Sequence, residues 1–139
     1  MKNEVVKSLM NINRKIEMLD LRKQSNSIEE VIKNLENEIK FLGEKFELND
    51  IEALLFATIC IYIVDNSNRE ADLDDIARFL DVTSLEILYH KSSLDTLIKK
   101  ELIKTCPKEC RNRNCNKSEI NFLDEAFKLN EKVVTSFNA

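Results

Sequence analysis

Glycine, proline and histidine each occur only once in this chain of 139 residues, and tryptophan does not occur. One glycine and one proline allow few tight turns and no long irregular loops, so helices must predominate. Phosphate-binding loops, dinucleotide-binding fingerprints and nucleophile elbows all need two or more glycines. The one histidine, His90, leaves His-based triads and two-histidine zinc sites incomplete or excluded. We therefore expect a chain that is not an enzyme.

Long apolar runs and a secretory leader are also missing from the sequence. No stretch of 18 apolar residues occurs, and the N-terminus lacks the apolar run and small-residue cleavage site of a signal peptide. Four cysteines without such a leader indicate reduced thiols rather than a disulfide framework. The sequence predicts a cytoplasmic protein that does not contact a membrane.

Charge is unevenly distributed along the chain, although the net charge is only −4. Residues 28–81 hold fourteen acidic and five basic residues, whereas residues 104–118 hold five basic residues and one acidic residue. Nucleic-acid-binding domains usually present a basic footprint. Only residues 104–118 offer one here.

Residues 1–45 are predicted to form a helical hairpin. Two segments carry apolar residues alternately three and four positions apart, the spacing of a narrow helical seam. The first helix is expected from Asn3 to Lys23, and the second begins at Ser27, which forms a capping box with Glu30. Gly43 is expected to end it as a left-handed C′ residue. The seams consist of Val5, Leu9, Ile12, Ile16 and Leu19 in the first helix, and Ile28, Ile32, Leu35, Ile39 and Leu42 in the second.

These two seams have two interpretations. They pack against each other and against the next domain, or part of one seam pairs with a second copy of the chain. The second interpretation predicts a homo-oligomer formed through the N-terminal helices.

Residues 46–139 are predicted to begin with a buried helix and a helix-turn-helix. Asn49 and Glu52 form a capping box for a helix that ends near Val64, is apolar on nearly all sides and carries Cys60 as a small core residue. After a polar loop over residues 65–72, Asp72 and Asp75 cap a short helix. A turn at residues 81–83 leads to one helix over residues 85–100, capped by Ser84. Its buried residues are expected to be Ile87, Leu88, Leu94, Leu97 and Ile98, and its outward residues Glu86, Tyr89, Ser93, Thr96 and Lys100.

A β-hairpin is expected after this helix. Residues 102–105 form one strand, residues 107–117 a polar tip and residues 119–123 the return strand. Asp124 then caps a final helix from Glu125 to about Thr135. The predicted fold class is mostly α: a helical hairpin, then a winged helix-turn-helix with a small two-stranded β-wing and a C-terminal helix.

The segments LFATICIYIV, LDDIARFLDVTSLEILYHKSSLDTLIKKELI and INFLDEAF carry a family resemblance. Their order resembles the winged-helix region N-terminal to the ATPase core of some bacterial AAA-type ATPases, over roughly residues 46–135. The matching positions are mostly core positions, Leu73, Ile76, Ala77, Leu80, Leu94, Leu97, Leu102 and Ile103, which specify a fold better than a function. Glu101 stands where the family usually has a left-handed glycine. The ATPase motifs are absent, so the resemblance implies an accessory domain without a nucleotide site.

Three cysteines occur in or beside the predicted wing tip, Cys106, Cys110 and Cys115, with Lys108, Arg111, Arg113 and Lys117 between or next to them. A structural zinc site needs four ligands, so His90, a carboxylate or a second subunit would have to complete this one. Alternatively, the neighbouring cations lower a thiol pKa and make a redox-active pair. In the third interpretation the cysteines are ordinary reduced thiols and no cofactor is bound.

Two functions fit this sequence, and the cysteines of the wing add a third hypothesis, a redox- or zinc-responsive version of either. The first is a non-catalytic accessory or regulatory domain that contacts a protein partner or an adjoining ATPase domain. The second is a DNA-binding domain that uses Tyr89, Ser93, Thr96, Lys99 and Lys100 of the predicted recognition helix, together with Lys108, Arg111, Arg113 and Lys117 of the wing. The acidic residues of the helix-turn-helix oppose the phosphate contacts that ordinarily dominate affinity, so we expect DNA binding to be weak.

Overall fold

The computed structural model describes residues 3–20, 27–66, 70–107 and 125–137, most of them in helices. The helices are α1 (Glu4–Asp20), α2 (Ile28–Asn34), α3 (Glu36–Phe46), α4 (Asp50–Asp65), α5 (Leu73–Leu80), α6 (Ser84–Tyr89), α7 (Lys91–Lys99) and α8 (Glu131–Ser136). The strands are β1 (Ala71–Asp72), β2 (Ile103–Pro107) and β3 (Glu125–Leu129). In these parts of the chain, no helix is long and apolar enough to cross a membrane.

Helix α4 lies at the centre of the core. Every residue from Ala53 to Ile61 is buried, as expected for a helix that is apolar on nearly all sides. The predicted capping box is confirmed, because Asn49 Oδ1 accepts a hydrogen bond from Glu52 N at 2.8 Å and Glu52 Oε1 accepts one from Asn49 N at 3.0 Å. Cys60 is fully buried, as predicted, and burial raises the pKa of its thiol. The helix therefore forms the central scaffold of the core.

The seam of α1 packs inside the chain. Val5, Leu9, Ile12 and Ile16 are buried and belong to the same hydrophobic cluster as the residues of α4 and α7. Beside the seam, Lys15 Nζ lies 2.8 Å from a carboxylate oxygen of the nearly buried Glu38 on α3. A homo-oligomer formed through α1 stays a prediction, and it would have to use the outer face of this helix.

The predicted second helix is broken at Leu35 into α2 and α3. Leu35 has φ −116° and ψ 21°, and its N–H bonds to the carbonyls of both Val31 and Ile32. Burial in α2 therefore follows Ile28, Val31 and Leu35, while Ile32 is only partly buried. Of the predicted capping box, the structure shows the hydrogen bond from Glu30 N to Ser27 Oγ, at 3.2 Å.

The prediction for Gly43 is wrong, since this residue lies inside α3 and does not have a positive φ. The left-handed residue is Glu47, with φ 58°, four positions later. The Leu48 N–H bonds to the Gly43 carbonyl at 2.8 Å, which closes the end of the helix. A Cβ at position 43 would lie 2.7 Å from the Leu48 carbonyl oxygen. Glycine is needed here for the close approach of the backbone rather than for left-handed geometry.

Substitution Gly43→Ala should therefore destabilise the protein, although alanine ordinarily favours a helix. The clash involves backbone atoms, so we expect the free energy of unfolding to fall by about 1–3 kcal/mol, the usual cost of overpacking, despite a gain of about 1 kcal/mol in helix propensity. Urea unfolding measures this change. Lys40→Ala, at an exposed position of α3, is the control and should stay within about 0.5 kcal/mol of the wild type. An increase in stability for Gly43→Ala would contradict the prediction.

The sheet is three-stranded and antiparallel, with the order β1-β3-β2, where the sequence predicted a two-stranded wing. Ile103 pairs with Leu129 and Pro107 with Glu125, while Ala71 in the predicted polar loop pairs with Phe127. The predicted helix from Glu125 is therefore wrong: residues 125–129 form the central strand, and Asn130 caps α8 by accepting a hydrogen bond from Lys132 N. The expected return strand 119–123 and the expected cap Asp124 lie outside the described residues.

Candidate interaction surface

Helix α5 is held in place at its N-terminus. Asp72 Oδ1 accepts a hydrogen bond from Asp75 N at 2.8 Å, and Asp75 Oδ2 accepts one from Asp72 N at 2.9 Å, so the predicted capping box is confirmed. The other oxygen of Asp75 accepts a hydrogen bond from the Tyr62 hydroxyl of α4 at 3.0 Å. The inner face of α5 is buried as predicted, through Leu73, Ile76, Ala77 and Leu80. These contacts fix the helix that carries the turn before α6.

The turn between α5 and α6 orients the second helix of the pair. Asp81 takes the left-handed conformation, with φ 58°, and Val82 N bonds back to the Ala77 carbonyl at 3.0 Å. Thr83 caps α6 by accepting a hydrogen bond from Glu86 N, in place of the predicted cap Ser84. The Ser84 hydroxyl instead donates to Asp74 of α5 at 2.6 Å.

The predicted single helix over residues 85–100 is broken at His90. This residue has φ −102° and ψ 24°, ends α6 and precedes α7. Ile87, Leu94 and Leu97 are buried as predicted, whereas Leu88 and Ile98 are only half-buried.

Glu86 faces the N-terminal helices, although the sequence predicted that it points outward. Its Oε2 accepts a hydrogen bond from the Ile28 backbone N–H at the start of α2, at 3.1 Å. An anionic group at this position also interacts favourably with the helix dipole of α2. The contact joins residues 58 positions apart, and it directs the Glu86 carboxylate of α6 toward α2.

The outer face of α6 carries two large exposed side chains one helical turn apart. Leu85 is 76% exposed and Tyr89 is 83% exposed. Residues four positions apart lie on the same side of a helix, so the two side chains form one surface. The Tyr89 ring stands edge-on to the His90 ring, with centroids 5.0 Å apart. We call the surface formed by Leu85 and Tyr89 the α6 face.

Acidic residues predominate in the part of the chain that carries the α6 face. Residues 70–90 contain six carboxylates and one cationic residue, Arg78. Asp74 and Asp81 are exposed, and the hydrogen bond from Ser84 places the Asp74 carboxylate directly beside the first turn of α6. On the far side of His90, Lys91 lies 3.5 Å from Asp95, so its charge is compensated. The electrostatic potential at the α6 face should therefore be negative.

The predicted DNA-contacting residues of the helix are divided by the break at His90. Tyr89 is on α6, whereas Ser93, Thr96 and Lys99 are on α7 and Lys100 follows it. Lys99 is exposed, but Ser93 and Thr96 are half-buried, and the Thr96 hydroxyl donates to the Ser92 carbonyl of its own helix. Lys108, Arg111, Arg113 and Lys117 of the predicted wing lie outside the described residues.

Lys100 takes part in two hydrogen bonds within the chain. Its ammonium group donates a hydrogen bond to the Glu47 carbonyl at the end of α3, and its own carbonyl accepts one from Lys132 Nζ at 3.1 Å. These three residues line an open cleft of about 500 Å³ between α3, α7 and α8. Next to it, Glu101 has φ 60°, a left-handed backbone conformation. The lysines here satisfy carbonyls at helix ends, which explains their position without a ligand.

Of the three wing cysteines, only Cys106 is described; Cys110 and Cys115 lie outside the described residues. Cys106 Sγ lies 4.0 Å from a carboxylate oxygen of Glu70 and 3.6 Å from the Ala126 carbonyl oxygen. Burial raises the pKa of its thiol, the negative charge of Glu70 raises it further, and Lys128 partly offsets both effects. Within the described ranges, no group of three or more potential ligands is placed to hold a metal ion.

The thiol of Cys106 should consequently react slowly. The redox interpretation of the sequence, in which neighbouring cations lower a thiol pKa, predicted the opposite. In a Cys110→Ser, Cys115→Ser variant, we expect the pH midpoint of iodoacetamide alkylation at Cys106 to lie above that of the same residue in the unfolded chain, since the thiolate is the nucleophile. Mass spectrometry of the alkylated peptide measures the rate. Glu70→Gln should lower the midpoint. A midpoint below that of the unfolded chain would contradict the prediction.

Sequence reasoning found Tyr89 but missed Leu85, which was assigned neither to the core nor to the surface. A signal was present, because Leu85 precedes the outward Tyr89 by four positions and so shares its side of a helix.

Comparisons of the chain with protein-family models, curated proteins and solved structures found no match.

Proposed function

We propose that residues 46–135 form a winged-helix domain. The order of elements supports this, since α4, β1, α5 and the α6–α7 pair are followed by β2 and β3, with β3 between β1 and β2 in the sheet. The two helices α5 and α6 are joined by a turn of three residues, 81–83, as in helix-turn-helix motifs. A short third strand next to the wing strands is an addition to the two-stranded wing that the sequence predicted.

The proposed function is that of a non-catalytic accessory or regulatory domain that contacts protein, in the manner of the N-terminal region of an AAA-type ATPase. One observation carries this proposal: the exposed side of α6 bears Leu85 and Tyr89, with the exposed carboxylates of Asp74 and Asp81 beside its first turn. Aromatic residues are enriched at the centres of protein interfaces, whereas a surface that contacts DNA has to be cationic. The chemistry of the α6 face is therefore that of a protein-binding surface.

Site-specific photo-crosslinking tests this function. Tyr89 is replaced by p-benzoylphenylalanine, a larger aromatic residue that fits at this exposed position, and the protein is irradiated in the cells that naturally produce it. We expect adducts with protein that are absent when the same group replaces Met18, an exposed residue on α1. Adducts with nucleic acid alone, or no adduct specific to position 89, would refute the protein-contact function.

The adjoining ATPase is a separate part of the proposal. It requires an ATPase in the same reading frame after Ala139, which genomic sequencing past this residue would show. A stop codon directly after Ala139 would refute that part and leave the contact through α6 to be judged by the crosslinking experiment.

The alternative function is DNA binding, which is favoured by the five basic residues among 104–118 and by the exposure of Tyr89 and Lys99. It predicts salt-dependent retention on duplex DNA, since each cation that contacts a phosphate releases a counterion. Replacing Arg111 and Arg113 together by alanine should weaken that retention. If the wild-type protein is not retained at low salt, the alternative fails.

A further inference from the structure

We infer that the partner of the α6 face is a basic amphipathic protein segment, with an apolar side that packs on Leu85 and Tyr89 and cationic side chains that meet the exposed carboxylates of Asp74 and Asp81. This inference rests on the proposed protein-contact function and narrows it to one class of partner.

The apolar part of the inference follows from what α6 leaves unburied. Ile87 anchors the helix in the core, with no exposed surface, while Leu85 and Tyr89 on the other side remain more than three-quarters exposed. A leucine and a tyrosine at the i, i+4 spacing offer a contact for the apolar stripe of a second helix. Tyrosine is also among the residues that contribute most to binding energy at interfaces.

The charge of the partner follows from the groups around this contact. Asp74 accepts a hydrogen bond from Ser84 but remains an exposed anion, and Asp81 is exposed at the turn before α6. Glu86 is directed to the start of α2, and Arg78 is the one cation among residues 70–90. Complementary charges at the rim of an interface accelerate association and exclude partners of the wrong sign. An acidic segment or the phosphate backbone of DNA would be repelled here, whereas lysine or arginine flanking an apolar stripe would be attracted.

A binding experiment with the full chain tests the inference. The probe is a fluorescein-labelled helical peptide of leucine and lysine with leucines at the i, i+3, i+4 spacing, used below the concentration at which it self-associates. Its matched counterpart carries glutamate in place of each lysine, and a fluorescein-labelled DNA duplex is the third probe. We expect fluorescence anisotropy to show saturable binding of the lysine peptide that weakens as salt is added, and no binding of the glutamate peptide.

Two double variants assign the binding to the α6 face. Leu85→Ser with Tyr89→Ser should weaken binding of the lysine peptide at least about tenfold, as expected for the loss of central contacts. Asp74→Asn with Asp81→Asn should weaken it by about threefold to tenfold and reduce its salt dependence. All four positions are exposed, so these variants should fold, and circular dichroism with thermal unfolding checks that they do.

Matched controls lie on α1. Met10→Ser with Met18→Ser removes exposed apolar side chains elsewhere, and Glu4→Gln with Glu17→Gln removes exposed carboxylates elsewhere. Both should leave the affinity within about twofold of the wild type, which is less than 0.5 kcal/mol.

Several results would overturn the inference: equal binding of both peptides, no effect of the α6 variants, binding of the DNA duplex through Leu85 and Tyr89, or self-association of the chain through these residues. If the lysine peptide fails to bind while the crosslinker at position 89 still captures protein, the partner class is wrong and the proposed function stands. If crosslinking at position 89 fails as well, both the inferred partner class and the proposed protein-contact function are wrong.

Discussion

Replacing Phe56 by alanine should lower the free energy of unfolding by about 3–5 kcal/mol, the range for removing a buried aromatic ring from a core. Phe56 lies in the middle of α4 and has no exposed surface. Its ring packs edge-on against that of Phe46 at the end of α3, with centroids 4.9 Å apart and an interplanar angle of 66°. The substitution removes the ring, its contacts and the aromatic pair together.

Urea unfolding followed by circular dichroism measures this loss. The matched control is Val64→Ala on the same helix, where the side chain is 59% exposed and the expected change is within about 0.5 kcal/mol. The loss of stability for Phe56→Leu should lie between those of Phe56→Ala and Val64→Ala, since leucine keeps much of the apolar volume. A loss below about 1 kcal/mol for Phe56→Ala would mean that the ring does not have the packing described, because cavities of this size cost more.

The features that could be predicted from the sequence are those determined by near neighbours in the chain. The capping boxes of α4 and α5 each need two residues three positions apart, and both are present as expected. The burial of α4 from Ala53 to Ile61 follows in the same way from a run that is apolar apart from Thr58. In each case the local pattern and the tertiary structure favour the same conformation.

The central strand β3 could not be predicted in this way. Residues 125–137 carry apolar side chains at spacings that also suit a helix, and an acidic residue at position 124 resembles a cap. The strand forms because β1 and β2 both pair with it, from 54 and 26 positions earlier, in the register Ala126 to Asp72 and Leu129 to Ile103. The separations of 54 (126 to 72) and 26 (129 to 103) exceed any window over which local patterns are read, and tertiary pairing overrides local preference.

The helix breaks at Leu35 and His90 were missed for a related reason. Neither position carries glycine or proline, which are the usual signals that a helix ends. Leu35 is fully buried, so its backbone follows the packing of α2 and α3 in the core rather than a local signal. The break at His90 changes the functional interpretation, because it separates Tyr89 from the predicted DNA-contacting residues of α7.

The candidate surface was therefore predictable in part. Tyr89 could be placed on the outside of its helix from spacing alone, and the same spacing could have added Leu85. The direction of the Glu86 side chain could not be predicted from the sequence, because its partner, the Ile28 N–H, belongs to a helix 58 positions earlier. With Glu86 turned inward, the exposed side of α6 is apolar, and this favours a protein partner over DNA.

Replacing Ile12 by alanine should have the second large effect, a loss of about 2–5 kcal/mol, because the side chain is large and buried in the core. Ile12 lies in α1 and has no exposed surface, and it belongs to the same hydrophobic cluster as Phe56 and Leu97. From the sequence we predicted two domains, residues 1–45 and residues 46–139, and this division stays a prediction. A shared core should make both parts unfold together.

The Ile12→Ala variant tests this coupling as well as the packing. We expect one unfolding transition at a lower urea midpoint, with the same midpoint for the far-ultraviolet signal of the helices and for the exposure of the Cys60 thiol in α4, which is buried in the folded state. Met10→Ala, two residues away and 49% exposed, should change the midpoint little. Separate transitions for the helical signal and the Cys60 thiol would show that α1 unfolds on its own.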